Sequence, residues 1–170
     1  MSASSSSSLQ LTGGGASALL GISYHTVPTL ADGTNRLEDL EEGKWVSTSS
    51  RSLIYCCSQI PSFLLMKWHQ PTAIREDNYH FPRTRLIAVE NTHNKANGAP
   101  LSVNFMNQVG ALCKSKGLIF HVDGARLMNA SVALKVPAAE ICREADSISL
   151  CLSKSLGAPI GSVLVGSKGE

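Results

Sequence analysis

The chain is predicted to fold as an α/β domain with a mostly parallel sheet and helices on both of its faces. Three observations carry this. Residues 86–89 form a continuous apolar run of the kind a buried parallel strand requires, and residues 118–122 read as the next strand. Between them Val103, Met106, Val109, Leu112 and Cys113 recur at helical spacing. Strand, helix and strand over this length make one right-handed βαβ unit, and the alternation continues downstream.

In chain order, residues 1–12 are serine-rich, with Ser4 to Ser8 unbroken. Such a segment has little to bury and is expected to be disordered, and it lacks the arginines of a transit peptide. Gly13, Gly14 and Gly15 follow no strand and belong to neither GxGxxG nor GxxxxGK, so they read as a flexible joint opening a helix over residues 16–20. Residues 22–27 read as a short strand, 28–34 as a turn-rich link and 37–42 as an acidic helix. Residues 44–72 contain Trp45, Cys56, Cys57, Pro61 and Trp68 and show neither helical nor strand period. They are read as an insert that adds nothing to active-site geometry.

Regular structure resumes at the 86–89 strand, which runs into Glu90, Asn91, Thr92 and His93. Ser102 is a good N-cap for the helix that ends at Gly117. After strand 118–122 come a helix at 126–135 and a shorter one from Pro137 to residue 144. Residues 147–152 then alternate small polar with apolar side chains, a strand pattern that stops at Ser153 and Lys154. Residues 155–159 break the regular structure, and the apolar run 159–165 brings the chain straight back.

Composition narrows the function. A chain of 170 residues fits one compact domain. Fifteen Lys and Arg against 13 Asp and Glu leave a net charge of +2 with no basic cluster, which speaks against nucleic acid. Five cysteines with no CxxC pair and no zinc-like His/Cys spacing suggest free thiols, a reducing, cytoplasmic compartment and no metal. The longest apolar run, 60–66, holds Pro61 and Ser62 and is too short to span a bilayer, so no membrane partner is expected.

Open α/β sheets bind ligands at the carboxyl ends of their strands. Asp123, His93 and Lys154 all fall there. A lysine and an aspartate at neighbouring strand ends suit pyridoxal 5'-phosphate chemistry: the amine forms a Schiff base with the cofactor aldehyde, and the carboxylate keeps the pyridine nitrogen protonated. From position alone, a solvated lysine and an aspartate capping the next helix are the other readings. A nucleotide-binding Rossmann module would need a glycine fingerprint between residues 89 and 102, where only Gly98 lies.

The blocks His121-Val122-Asp123-Gly124-Ala125-Arg126-Leu127, Ser149-Leu150-Cys151-Leu152-Ser153-Lys154, Leu156-Gly157-Ala158-Pro159 and Glu90-Asn91-Thr92-His93-Asn94 stand in an order that resembles the threonine aldolase family. The resemblance covers residues 86–166 well and 21–42 more loosely, through Tyr24 to Pro28 and Ala31 to Thr34. It implies the aspartate-aminotransferase-like fold (fold type I), here as an incomplete three-layer α/β/α large domain over 13–170 without its C-terminal small domain. It also implies a homo-oligomer that splits threonine or allo-threonine into glycine and acetaldehyde. By the same resemblance Lys154 is the Schiff-base residue and Asp123 the partner of the pyridinium. Arg126 contacts the ring oxygen and the substrate carboxylate, a task suited to a planar cation. His93 approaches the substrate hydroxyl as base, its alternative being a loop histidine bonded to backbone. His121 supports Asp123 from two residues upstream on the same face. Ser155 stands where the family commonly has glycine, and neither the family's phosphate loop nor its ring-stacking histidine is found. A catalytically inactive fragment that keeps part of the fold is therefore the second reading.

Overall fold

The computed structural model describes residues 22–28, 30–42, 51–57, 74, 79 and 83–167. The serine-rich leader, the glycine joint, the helix at 16–20 and residues 44–50 and 58–72 of the supposed insert lie outside the described residues.

Among the described residues, six strands form one sheet in chain order. They are β1 (Ile22–Pro28), β2 (Arg51–Cys57), β3 (Arg83–Glu90), β4 (Ile119–Asp123), β5 (Ser147–Cys151) and β6 (Ser162–Gly166). The helices are α1 (Leu37–Glu42), α2 (Val103–Lys116), α3 (Leu127–Leu134) and α4 (Ala138–Ile141). The central ladders β3–β4 and β4–β5 are parallel, while β1–β2, β2–β3 and β5–β6 are antiparallel. The α/β class holds, and the parallel strands are those that carry the candidate residues.

One sequence expectation is corrected. Arg51–Cys57, inside the stretch read as lacking any strand period, is β2 and pairs on both sides, with β1 and β3. An interior strand does not have to alternate in polarity, so the period test is blind to it. Its Leu53, Ile54 and Tyr55 are residue types that favour strands.

Helix α2 shows how the sequence builds the core. Ser102 Oγ accepts the Phe105 N–H at 3.2 Å, and Gly117, at φ 63°, turns its N–H back onto the Cys113 and Lys114 carbonyls. Both ends are thereby satisfied. Phe105, Met106, Val109, Leu112 and Cys113 are buried on one face. They join Ile87 and Val89 of β3, Phe120 and Val122 of β4, Leu127 and Ala130 of α3 and Ile141 of α4 in one apolar cluster. Full burial of a side chain of this size contributes about 1.5–3 kcal/mol.

Parallel partners in register share a face of the sheet. Val89, Val122 and Ile148 are partners on the apolar face. Glu90 with Asp123, Asp123 with Ser149, and His121 with Ser147 are partners on the opposite one. Asp146 fixes where β4 and β5 start to pair: its Oδ2 accepts the Phe120 N–H at 2.7 Å, and its own N–H donates to the Phe120 carbonyl at 2.9 Å.

Candidate active site at the strand ends

Asp123 closes β4. Its Oδ1 accepts the Ala125 N–H at 3.2 Å, a tight local turn that suits aspartate. Gly124 then passes so close to β5 that an added Cβ would stand 3.1 Å from both Ile148 Cγ2 and the Ser149 carbonyl oxygen. That approach lets the Gly124 N–H donate to the Ser149 carbonyl at 2.8 Å. The ends of β4 and β5 are thus sewn together where the candidate residues stand. Arg126 is not inside the helix expected at 126–135 but is the residue just before α3. It is half-buried, and its Nη1 donates to Asn94 Oδ1 at 3.2 Å.

Strand β5 ends at Cys151, one residue earlier than its alternation suggested. The chain turns through residues 152–161 into β6, with the Leu152 N–H on the Gly161 carbonyl and the Ala158 N–H on the Leu152 carbonyl, both at 2.9 Å. Lys154 rides on this closed turn with its side chain exposed, and Ser155 Oγ beside it is buried without a hydrogen-bond partner among the described residues.

Glu90 ends β3 in register with Asp123. Its carboxyl is pushed above the ordinary range, first by burial and then by the charge of Asp123. The backbone N–H of Asn94 and the positive charges of Arg126 and Lys154 act in the opposite direction. The charges of Asp123, Arg126 and Lys154 thus all act on one carboxyl. Glu90 and Asn94 were noticed in the sequence only as parts of a block. The available signal was positional: Glu90 follows its apolar strand core just as Asp123 follows residues 118–122.

His121 lies behind Asp123 on the same face, as its two-residue spacing predicts. Its Nδ1 is 2.8 Å from Ser147 Oγ. Burial lowers its pKa, with the Asp123 charge pulling the other way. His93 is placed as the backbone-bonded loop histidine. It is 2 % exposed, and its Nδ1 accepts the Ala96 N–H at 3.3 Å, which caps a short 3-10 turn at Asn94–Ala96. A neutral imidazole that accepts at Nδ1 carries its proton on Nε2. In this geometry His93 donates at Nε2, and a base role there requires the Ala96 bond to open. Gly33, at φ 87°, packs on this turn so tightly that a Cβ would stand 2.9 Å from His93 Cβ.

Residues 66–169 match the family described as Beta-eliminating lyase. The chain belongs to that family. It is 53% identical over 88 residues to the low-specificity L-threonine aldolase 1 of Arabidopsis thaliana, covering 52% of this chain and 25% of that protein. It is 43% identical over 95 residues to the low specificity L-threonine aldolase of Escherichia coli (strain K12), covering 56% of this chain and 28% of that protein. It also aligns with the solved structure of Leishmania major threonine aldolase at 25% identity and a TM-score of 0.47, covering 53% of this chain and 26% of that one. The chain thus spans about a quarter of the length of the curated relatives it matches. Among the described residues, no helix is long and apolar enough to cross a membrane.

Proposed function

We propose that the protein is a threonine-aldolase-type carbon–carbon lyase that uses pyridoxal 5'-phosphate to split threonine or allo-threonine into glycine and acetaldehyde. The placement of Asp123 at the end of β4, of Lys154 just past its parallel partner β5 and of Arg126 just before α3, in a chain of the β-eliminating lyase family, supports this reading. The donor set fits such a cofactor: an exposed primary amine, a carboxylate for a ring N–H, a planar cation for a carboxylate or ring oxygen, and a buried hydroxyl at Ser155 without a partner among the described residues. When bound, the cofactor supplies an electron sink for the bond that breaks.

Lys154 would hold the cofactor through its Nζ, and Asp123 would keep a proton on the ring nitrogen. Arg126, fixed by Asn94, would orient the substrate carboxylate; a planar fork held in place loses little entropy on binding. The substrate hydroxyl must also lose its proton, and His93 can take it only after Nδ1 or Nε2 is freed.

The test is glycine release from threonine and allo-threonine with added pyridoxal phosphate, against Lys154→Ala, together with borohydride reduction and peptide mapping. Label on Lys154 above Lys114, Lys116 and Lys135 is expected, and equal labelling would remove the assignment.

A second reading, a fragment that keeps the fold with little turnover of its own, is favoured by β6. Its Leu164 is 73% exposed and the preceding Ile160 is 86% exposed. Turnover of about 1 per second or more, the ordinary enzyme range, that disappears in Lys154→Ala would refute this second reading.

A further inference from the structure

On the polar face of the sheet His121 stands in register between Ala88 of β3 and Ser147 of β5, and Ser147 stands in turn beside Gly166 of β6. Of these four residues only His121 and Ser147 carry a polar side-chain atom. The two meet: His121 Nδ1 lies 2.8 Å from Ser147 Oγ. Both residues are half-buried. The next row on this face lies two residues on, about 6.6 Å along the strands. There Asp123 is flanked by Glu90 and Ser149. A ring bonded sideways at Nδ1 turns its Nε2 away from Ser147, so one hydroxyl sets the orientation of the imidazole directly behind Asp123. The inventory of partners also favours one direction for the bond. Among the described residues, Nδ1 is the acceptor that the Ser147 hydroxyl reaches. Were the ring the donor, the hydroxyl proton would have no acceptor there, and a half-buried polar group left unpaired is costly. Burial keeps His121 below its ordinary pKa, so at neutral pH the ring has one proton to place.

We propose that Ser147 is a positioning residue for His121: its hydroxyl donates to Nδ1, fixes the ring and keeps the ring proton on Nε2, so that Asp123 has one imidazole orientation and one tautomer behind it. The bond made by one ring nitrogen sets which of the two is protonated. The requirement at position 147 is for a hydroxyl, because a side chain of the same size without one leaves both tautomers open. Parallel pairing of β4 with β5 supplies the geometry, since it brings residue 147 beside residue 121 across 26 positions of sequence. The consequence for Asp123 as the partner of a cofactor ring rests on the proposed function, while the lock on His121 does not.

The experiment uses the full chain with isotope-labelled histidine and compares it with Ser147→Ala, Ser147→Val and Ser147→Thr. Threonine keeps the hydroxyl, and valine has the shape of threonine without it. Long-range nitrogen–proton NMR spectra at neutral pH distinguish the two neutral tautomers of His121. The parent and Ser147→Thr are expected to show the Nε2–H form. In Ser147→Ala and Ser147→Val the share of the Nδ1–H form should rise about threefold or more, as loss of one neutral hydrogen bond implies. Should Ser147→Ala not fold, Ser147→Val gives the same reading. An Nδ1–H form in the parent, a tautomer ratio unchanged in Ser147→Ala or Ser147→Val, or a Ser147→Thr protein that behaves like them overturns the proposal. A second arm follows the visible absorbance of added pyridoxal phosphate. If the unsubstituted chain takes up none, the cofactor reading fails while the NMR arm still decides the lock. If it binds, the dissociation constant is expected to rise about three- to tenfold in Ser147→Ala and Ser147→Val and to stay within about twofold in Ser147→Thr; equal constants in all four proteins overturn the link to Asp123.

Discussion

Asn91 is the residue whose loss should loosen the site most without touching any candidate catalytic group. It is wholly buried, and so is Leu101, ten residues on. Its Oδ1 accepts the Leu101 N–H at 3.1 Å, and its Nδ2 donates to the Leu101 carbonyl at 3.3 Å. One amide therefore closes the loop that carries His93, Asn94 and Gly98. Asn91→Ala leaves two buried backbone groups unpaired, at about 1–3 kcal/mol each, so a loss of about 2–6 kcal/mol is expected. Against the roughly 5–15 kcal/mol of an ordinary domain that is a large share. Asn91→Asp keeps the acceptor but loses the donor and buries a charge. It should be as damaging at neutral pH and recover in acid, where a protonated carboxyl can donate. Urea denaturation followed by circular dichroism measures both, with an unchanged slope certifying that the unfolding is the same process. Asn94→Ala, at an exposed position, should cost no more than about 0.5 kcal/mol. A loss below about 1 kcal/mol in Asn91→Ala, or an Asn91→Asp variant as stable as the parent at pH 7, would refute the reasoning.

Gly110 in α2 lies against Glu144, where an added Cβ would overlap Glu144 Cβ and press on Cγ. The helix gain of about 1 kcal/mol for alanine over glycine then loses to overpacking of about 1–3 kcal/mol, so Gly110→Ala should destabilise, and a stabilised variant in urea denaturation contradicts the close approach. Burial pushes the Cys113 thiol up to about 12, with help from Asp146, and the Cys142 thiol to about 11. Iodoacetamide at pH 8 should therefore modify half-buried Cys151 well before either, as mapped by mass spectrometry; equal labelling of the three contradicts it. The folded chain holds the Glu90 proton more tightly than the unfolded one, so this contribution is full below the ordinary value of 4.5 and is lost as pH rises through the folded value. Glu90→Gln should then gain stability over the parent at pH 7 and gain none at pH 4 in the same denaturation assay. His121 has the opposite sign: its lowered pKa gives a contribution present above 6.5 and lost as pH falls, so His121→Gln should flatten the acid side of the stability profile.

Much of this was legible in the chain because core and site obey one period. The apolar runs and the helical stripe of α2 marked β3, β4 and α2 to within a few residues, and Ser102 and Gly117 cap that helix as expected. Asp123 and Lys154 drew attention as candidates because each follows a run with a strand pattern. Strand β2 was missed because an interior strand carries no alternation to detect. His93 was the harder case. Its sequence position is compatible with a base or with a loop anchor, and the choice depends on where Nδ1 points, which is set by the turn at Asn94–Ala96. The Arg126–Asn94 contact spans 32 positions and leaves no local trace.

The same alternation also explains why the site tolerates little rearrangement. Val89 and Val122 face the core only if Glu90 and Asp123 face the other way, so shifting either strand by one residue would bury a carboxyl and expose a valine. The apolar cluster under α2 thus holds the carboxyl pair in place without touching it. Lys154 is held differently. Beyond Cys151 the strand period no longer applies, and the lysine is placed by a turn closed through Leu152, Ala158 and Gly161. Its neighbour Ser155 leaves a buried hydroxyl without a partner among the described residues, and strand β6 on the far side of the turn is exposed along its length. The carboxyl side of the site is therefore specified by the core and the amine side by one loop. Local opening should reach Lys154 before Asp123, so amide exchange at residues 152–161 should outpace that at Ile119–Asp123.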